Sequence, residues 1–374
     1  MKKGAFEFYN QEDLALFDSI EHVSFLEDGF TVDDIKQNPD IETFLFQNPD
    51  KGHMFLHEAA IIEFKGVLYT SWYQCEEKEL QGPTPICGRR SFDDGKSWSD
   101  TEIIAEDKSG KIMFCPPVYG ICDDKLYMFI NQMVSPDHIH SLDLYVLNEN
   151  TDRFELLWSR PIPFKLNTNV YKLSNGKLML PGRIGEMDGF PNTPAVLISD
   201  SGKIDDEWRL VKIQKNGFLP DGAQLEHAEI SAIVDGSKVY VFCRNCYRKV
   251  PIVYISEDNG ENWSRVKSHN IPLAATKMYS GTLSDGRNYI IGNIFNDYKR
   301  DRFAIFVSDP HTMNFTKGYW LQDIFSENHS VGLNWHYPIA HEANGKLYVI
   351  YTVNLSDDWI TRGAMLSVVP IDSL

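Results

Sequence analysis

The chain contains no apolar run approaching the roughly 18 residues that a membrane-crossing helix requires. Its opening, Met1-Lys2-Lys3-Gly4-Ala5-Phe6-Glu7-Phe8-Tyr9-Asn10, has no apolar stretch behind the two lysines. Neither secretion nor membrane insertion is expected from it, and a cytoplasmic location is. Cysteine is scarce, six in 374 residues, too few for the dense disulfide framework of a small secreted fold. Cys243 and Cys246 form a CxxC spacing, but no second pair completes a zinc site, so both read as strand residues and neither metal nor other cofactor is expected. Basic residues are also in deficit: 36 Lys and Arg stand against 53 Asp and Glu, a formal charge of −17. That balance argues against nucleic acid or an anionic membrane as partner, because both need a basic surface that releases counterions. An anionic ligand must therefore be met by local arginines.

What the chain has instead is repetition. Ser91-Phe92-Asp93-Asp94-Gly95-Lys96-Ser97-Trp98 and Ser256-Glu257-Asp258-Asn259-Gly260-Glu261-Asn262-Trp263 both read S-x-D-x-G-x-x-W. Weaker copies lie at Ser199-Asp200-Ser201-Gly202, with Trp208 downstream, and at Ser308-Asp309-Pro310. From Ser91 the successive intervals are 108, 57 and 52 residues, so the period is near fifty and one copy is missing near Asn148. Each box reads as a hairpin turn in which Asp caps backbone N–H groups, Gly takes positive φ and Trp packs beneath. The boxes are structural punctuation, and no chemistry is assigned to them. A second string, a β-rich run, a Gly-containing turn and another β-rich run, recurs at residues 59–73, 118–131, 170–183, 230–244, 280–293 and 339–352. Short strands at even spacing predict an all-β, six-bladed β-propeller with Asp-box hairpins, a single domain over residues 51–374. Residues 1–50 form an N-terminal segment, of which 21–30 are expected to lend a strand that closes the ring against the last blade.

In a propeller the innermost strands line a central funnel, so equivalent repeat positions form rings. Stepping back twelve residues from Tyr69, Tyr127, Met179, Tyr240, Tyr289 and Tyr348 gives His57, Cys115, Asn167, Ala228, Lys277 and His336; an extra turn residue in the fourth repeat moves its equivalent to His227. Stepping forward four gives Tyr73, Asn131, Arg183, Arg244, Asn293 and Thr352. Arg183 and Arg244 suit a carboxylate, which a guanidinium grips bidentately. His57, His227 and His336 suit acid–base work because imidazole titrates near neutrality, and three histidines would also serve as a metal set.

With these features the chain resembles the sialidase/neuraminidase superfamily of Asp-box propellers from about Phe55 onward. The family carries a Glu-x-x-Val-Val string, an Asp-Gly turn and a following Arg, to which Glu229-Ile230-Ser231-Ala232-Ile233-Val234-Asp235-Gly236 and Arg244 are similar; Glu226 and His227 compete with Glu229 for the Glu position. The family's later arginine falls on Arg302 or Arg300, and its nucleophilic Tyr on Tyr337 in Trp335-His336-Tyr337-Pro338. At the first strand Phe55-Leu56-His57-Glu58 occupies the place of the family's Arg-Ile-Pro, so His57 stands where an arginine is expected. The loop that follows has no aspartate, and Glu76, Glu77 or Glu79 takes the place of its acid.

The resemblance implies a glycan-active enzyme: an exo-glycoside hydrolase on a small oligosaccharide ending in an acidic or unusual sugar. Tyr337 would be the nucleophile with Glu229 as its partner, and Glu77 or His57 the acid. Arg244, Arg183, Arg302, Lys277 and Tyr73 would bind substrate. Elimination from a uronate by His and Tyr, and sugar binding without catalysis, are the alternatives.

Overall fold

The computed structural model describes residues 8–49, 52–135, 138–185, 192–295, 299–326 and 330–374. Nearly all of its regular structure is antiparallel strand, arranged as a β-propeller. Two-residue turns with positive φ at both positions join the first two strands of several repeats: Lys65-Gly66 (50° and 81°), Asp123-Asp124 (49° and 58°) and Asn344-Gly345 (51° and 73°). These match the right-handed twist of the strands they connect.

Four sheets are self-contained blades. One comprises Met113–Cys122, Lys125–Ser135, His138–Asn148 and Arg153–Arg160. In the next, Lys165–Leu166 and Tyr171–Lys172 both pair with Leu178–Ile184, followed by Thr193–Ser199 and Arg209–Lys212. The third holds Ile230–Asp235, Lys238–Cys243, Ile252–Ser256 and Lys267–His269, and the fourth Tyr279–Thr282, Asn288–Asn293, Arg302–Ser308 and Phe315–Asp323. Apart from Glu21–Val23, which edges the third of these sheets, the remaining strands form one eight-stranded sheet. Its halves, Asn334–Ala343 with Lys346–Asn354, Arg362–Pro370 and Glu42–Gln47, and Phe55–Phe64 with Val67–Cys75, Ile86–Ser91 and Glu102–Ala105, meet at the single parallel pair Arg362↔Phe55. The expectation of six blades is corrected accordingly: hydrogen bonding gives four separate blades and one continuous sheet, because the first and last repeats fuse where the ring closes.

The N-terminal segment also departs from expectation. Glu21–Val23 pairs in parallel with Lys267–His269, not with the last blade. Leu26 and Lys36 bridge to Phe315 and Tyr319 of the next blade, and Glu42–Gln47 reaches the last strand, Arg362–Pro370. The segment is thus a belt along outer edges, covering strands that would otherwise present unpaired backbone. Its helix Gln11–Ser19 starts on a capping box between Asn10 and Asp13 and seats Leu16 in the core.

Inner strands are buried on both faces, as in Lys346–Asn354, while the outer strand Arg153–Arg160 is largely exposed. Blades packing face to face leave solvent only at the perimeter. Asparagines staple neighbouring repeats near the axis. Asn131 Nδ2 donates to Phe164 O at 2.8 Å and Oδ1 accepts from Leu166 N at 2.9 Å; Asn293 Nδ2 donates to Trp335 O at 2.8 Å. These second-ring positions are structural: Asn131 satisfies a backbone donor and an acceptor together, and Asn293 donates to the carbonyls of both Trp335 and Arg302.

The two full Asp boxes have the predicted chemistry. Asp93 Oδ1 accepts from Ser97 N at 2.8 Å, Gly95 N donates to Ser91 Oγ at 2.8 Å, and Trp98 Nε1 donates to Gly95 O at 3.1 Å. Hydrogen bonds from the Ser97 hydroxyl and amide hold the Asp93 carboxyl down at about 2. Ser91 lies opposite Leu68, whereas Tyr73, nearer the funnel mouth, lies opposite Ile86; the box and the mouth are therefore at opposite ends of the blade.

Candidate functional site

Two bulges aim side chains into the funnel. On Phe55–Phe64 the pairing passes from His57↔Tyr73 to Ala60↔Ser71, leaving Glu58 at φ 47°. On Asn334–Ala343 it passes from His336↔Thr352 to Ile339↔Ile350, leaving Tyr337 at φ 59°. An extra residue in one strand turns its side chain out of the alternation, and a positive φ on a bulky residue costs on the order of 1–3 kcal/mol, a strain that concentrates at functional sites. Glu58 and Tyr337 thereby face the cavity; of the histidines that precede them, His336 turns into the wall while His57 keeps an edge on the cavity.

The cavity holds about 470 Å³ and is lined by His57, Glu58, Glu79, Leu80, Lys165, Arg183, His227, Glu229, Arg244, Arg300, Tyr337, Trp359 and Arg362. Glu229 precedes one inner strand and Arg244 follows its neighbour; Arg244 N donates to Glu229 O at 2.8 Å, which holds the two side chains together. Arg244 Nη1 donates to Glu229 Oε2 at 2.6 Å and to Tyr337 Oη at 3.1 Å, and Arg183 Nη1 stands 3.6 Å from Glu229 Oε1. Burial alone would raise the Glu229 carboxyl, but Arg244, Arg183 and Lys277 outweigh it and hold it ionised, well below the usual range. No hydrogen bond joins Tyr337 Oη to Glu229 directly; Arg244 serves both.

The Tyr337 ring lies 4.3 Å from the His57 ring, 5.1 Å from Lys277 Nζ and 5.7 Å from the Arg300 guanidinium, centroid distances within cation–π range for the two cations. Its phenol is pushed far up by burial and then by Glu229, with Arg244 and Arg300 pulling against them. Behind it Lys277 Nζ pairs with Glu58 Oε2 at 2.5 Å. Arg362 enters beside the first inner strand, its guanidinium 4.3 Å over the Phe55 ring and its Nε donating to Trp359 O at 3.1 Å. Arg362, from the last strand, thus lines the cavity beside His57. Arg300 is fixed through its carbonyl, which accepts from Trp335 N at 2.9 Å.

Of the residues singled out in the sequence, Tyr337, Glu229, His57, His227, Arg244 and Arg183 line this one cavity. Lys277 and His336 stand behind it, and Tyr73 is buried with its hydroxyl 3.3 Å from Glu79 Oε1. Glu77 is exposed and does not line the cavity; Glu79 of the same loop does. Arg302 turns outward, pairing with Asp323 at 3.2 Å and stacking 4.4 Å over Trp320, and Arg300 takes its place in the cavity. The histidines are not a working trio. His57 Nδ1 lies 2.8 Å from Thr352 Oγ1 and His336 Nε2 lies 2.9 Å from Asn354 Oδ1. Burial first, then nearby cations including Arg362 and Arg300, holds both well below 6.5 and hence neutral. Among the described residues no three His, Cys, Asp or Glu side chains gather as a metal set. Sequence reasoning missed Glu58, Lys165, Arg362 and Trp359. Glu58 shared the repeat slot of Tyr337, one past the histidine, and that signal was available; Arg362 depends on closure between the chain's two ends.

A family described as BNR repeat-like domain matches residues 67–349. No curated protein matches the sequence. Among solved structures, a protein of unknown function from Dyadobacter fermentans superposes with TM-score 0.69 at 13% identity, covering 89% of this chain and 100% of its own. Trypanosoma rangeli sialidase in complex with sialic acid gives 0.65 at 14%, over 91% of this chain and 60% of that one. The K499G mutant of NanB sialidase from Streptococcus pneumoniae gives 0.65 at 11%, over 89% and 71%. This chain therefore spans about three fifths of the trypanosomal enzyme's length, and likeness at such identities concerns the fold. With a family match across most of its strands and a sialidase-type propeller beneath it, the chain belongs to the BNR repeat-like family.

Proposed function

We propose that this protein is an exo-glycoside hydrolase acting on a terminal sugar acid, on a propeller of six blades if the halves of the eight-stranded sheet are counted separately. The observation that carries the reading is the convergence of Arg183, Arg244, Arg300 and Arg362 around Tyr337 and Glu229 in one cavity. Guanidinium groups keep their charge and match a carboxylate's geometry; several of them in a chain of −17 select an anion locally. Trypanosoma rangeli sialidase, which shares the fold, is known as a covalent intermediate with 2,3-difluorosialic acid, and a buried Tyr beside a Glu suits that chemistry here.

In this mechanism Arg244, Arg300 and Arg362 hold the carboxylate. The Tyr337 oxygen forms a bond to the anomeric carbon as the glycosidic C–O bond breaks, the phenol proton passes to Glu229, and Glu79 protonates the leaving oxygen. Water then releases the sugar with Glu79 as base, and Tyr337 recovers its proton. Arg244 must exchange its bond to Glu229 for one to substrate before Glu229 accepts a proton.

One observation favours elimination instead: Glu229 is clamped by two arginines and has no hydrogen bond from Tyr337. In that reading the arginines neutralise a uronate and Tyr337 or His227 moves the proton. The test is a panel of sialosides and uronides followed by both reducing ends and ultraviolet absorbance. Hydrolysis gives new reducing ends without absorbance and elimination gives both; Tyr337→Phe abolishes hydrolysis, and an elimination that survives it assigns the proton to His227. Tight binding without turnover would leave a sugar-binding propeller.

A further inference from the structure

Lys165 lines the cavity with its ammonium set against sulfur and not oxygen. It is 5% exposed, and Nζ lies 3.3 Å from Cys115 Sγ and 3.1 Å from Met133 Sδ, with no carboxylate within 4.0 Å among the described residues. Burial pushes the Cys115 thiol up to about 12, so the sulfur stays a neutral thiol and balances no charge. Glu58 Oε1 is 4.0 Å from that sulfur, and its Oε2 is already taken by Lys277. In the antiparallel register Lys165 stands directly opposite Arg183, which is also buried. Like charges placed opposite each other across a strand pair are destabilising, and a buried ammonium facing only sulfur is costly. An arrangement of this kind, inside a cavity, makes sense when an anion completes it.

The charges on the wall point the same way. Five cations line the cavity, Lys165 and four arginines, against three carboxylates, of which Glu58 is neutralised from behind by Lys277. One sugar carboxylate leaves positive charge unmatched.

We propose that Lys165 and Arg183 form a second anion subsite, and that the substrate is a sugar acid carrying a sulfate or phosphate ester as well as its carboxylate. The proposal rests on the reading of the cavity as a sugar-acid site. A tetrahedral oxyanion suits the pair, since lysine serves it as a point charge and arginine as a fork.

The test compares wild type, Lys165→Met and Arg244→Met by calorimetric titration with a uronic acid, its sulfate ester, its phosphate ester and inorganic sulfate. Methionine retains the contacts with Met133 and Cys115, and in anion-free buffer Lys165→Met is expected to melt above wild type. Wild type should bind one of the esters about tenfold or more tighter than the plain acid, and which ester it is separates the two oxyanions. Lys165→Met should bring that ratio to within about twofold while leaving affinity for the plain acid nearly unchanged. Equal wild-type affinities, or a preference that survives Lys165→Met, would overturn the second subsite and leave the sugar-acid reading intact. If wild type binds no sugar acid, that reading fails, and inorganic sulfate decides the subsite alone. A rise in Tm with sulfate that Lys165→Met loses and Arg244→Met keeps supports it; equal shifts in all three proteins, or none, overturn it.

Discussion

Arg244 cannot lose its proton, so the carboxylate it faces sets the energy of the whole cluster. Glu229→Gln would leave Arg244 and Arg183 buried without their anion, which costs about 3–5 kcal/mol in comparable pairs; we expect a lower Tm together with loss of turnover. The pH dependence of the pair has a definite sign. The Glu229 carboxyl is depressed in the folded state, so its stabilisation is fully present above the unfolded value near ~4.3 and is lost as pH falls below it. Acid melting of Glu229→Gln should consequently be flatter below about pH 4 than that of wild type. At this scale the sequence was informative where the repeat fixed a slot, as for Arg183 and Arg244. It failed at Arg302 and Glu77, where neighbours of the same type, Arg300 and Glu79, lie two residues away. Strand alternation and loop path choose between such neighbours, and both depend on contacts distant in sequence.

The elements divide into those that carry the site and those that carry the ring. Asp93 belongs to the second group: Asp93→Ala should lower Tm by removing the hydrogen bonds that close its hairpin, while ligand affinity measured by titration stays that of wild type. Gly182 belongs to the first. A Cβ there would lie 2.3 Å from Lys165 O and 2.4 Å from the Phe164 ring. Gly182→Ala should therefore drive Lys165–Leu166 off Leu178–Ile184, lowering both Tm and the affinity for an anionic sugar, with the two losses read in one calorimetric series. The hairpins and boxes were legible because their signals are local, Gly at positive φ and an Asp cap within four residues. The bulges at Glu58 and Tyr337 were not, since nothing in the alternation of Phe55–Phe64 or Asn334–Ala343 marks where one extra residue is absorbed.

For the whole molecule, the buried histidines predict a steep response to mild acid. His57, His269 and His336 are each nearly inaccessible, and burial holds them low, His269 at about 3. Each binds a proton more readily when unfolded, so stability rises with pH up to the unfolded value of about 6.5 and is lost below it, by ~1.4 kcal/mol per pH unit per histidine. Melting curves from pH 7.5 to 5 should show Tm falling below about pH 6.5, and His269→Gln should flatten the fall without touching the cavity. The fifty-residue repeat and its hairpin signals determined the all-β propeller and the slots that ring its axis, because each is a property of local pattern and turn chemistry. Tertiary structure alone decided which slot faces the funnel, that the first and last repeats fuse into one sheet, that residues 21–23 edge the sheet of Lys267–His269, and that Arg362 and Lys165 join the site. Each of those outcomes depends on residues brought together across blades, a distance over which periodicity in the chain carries no information.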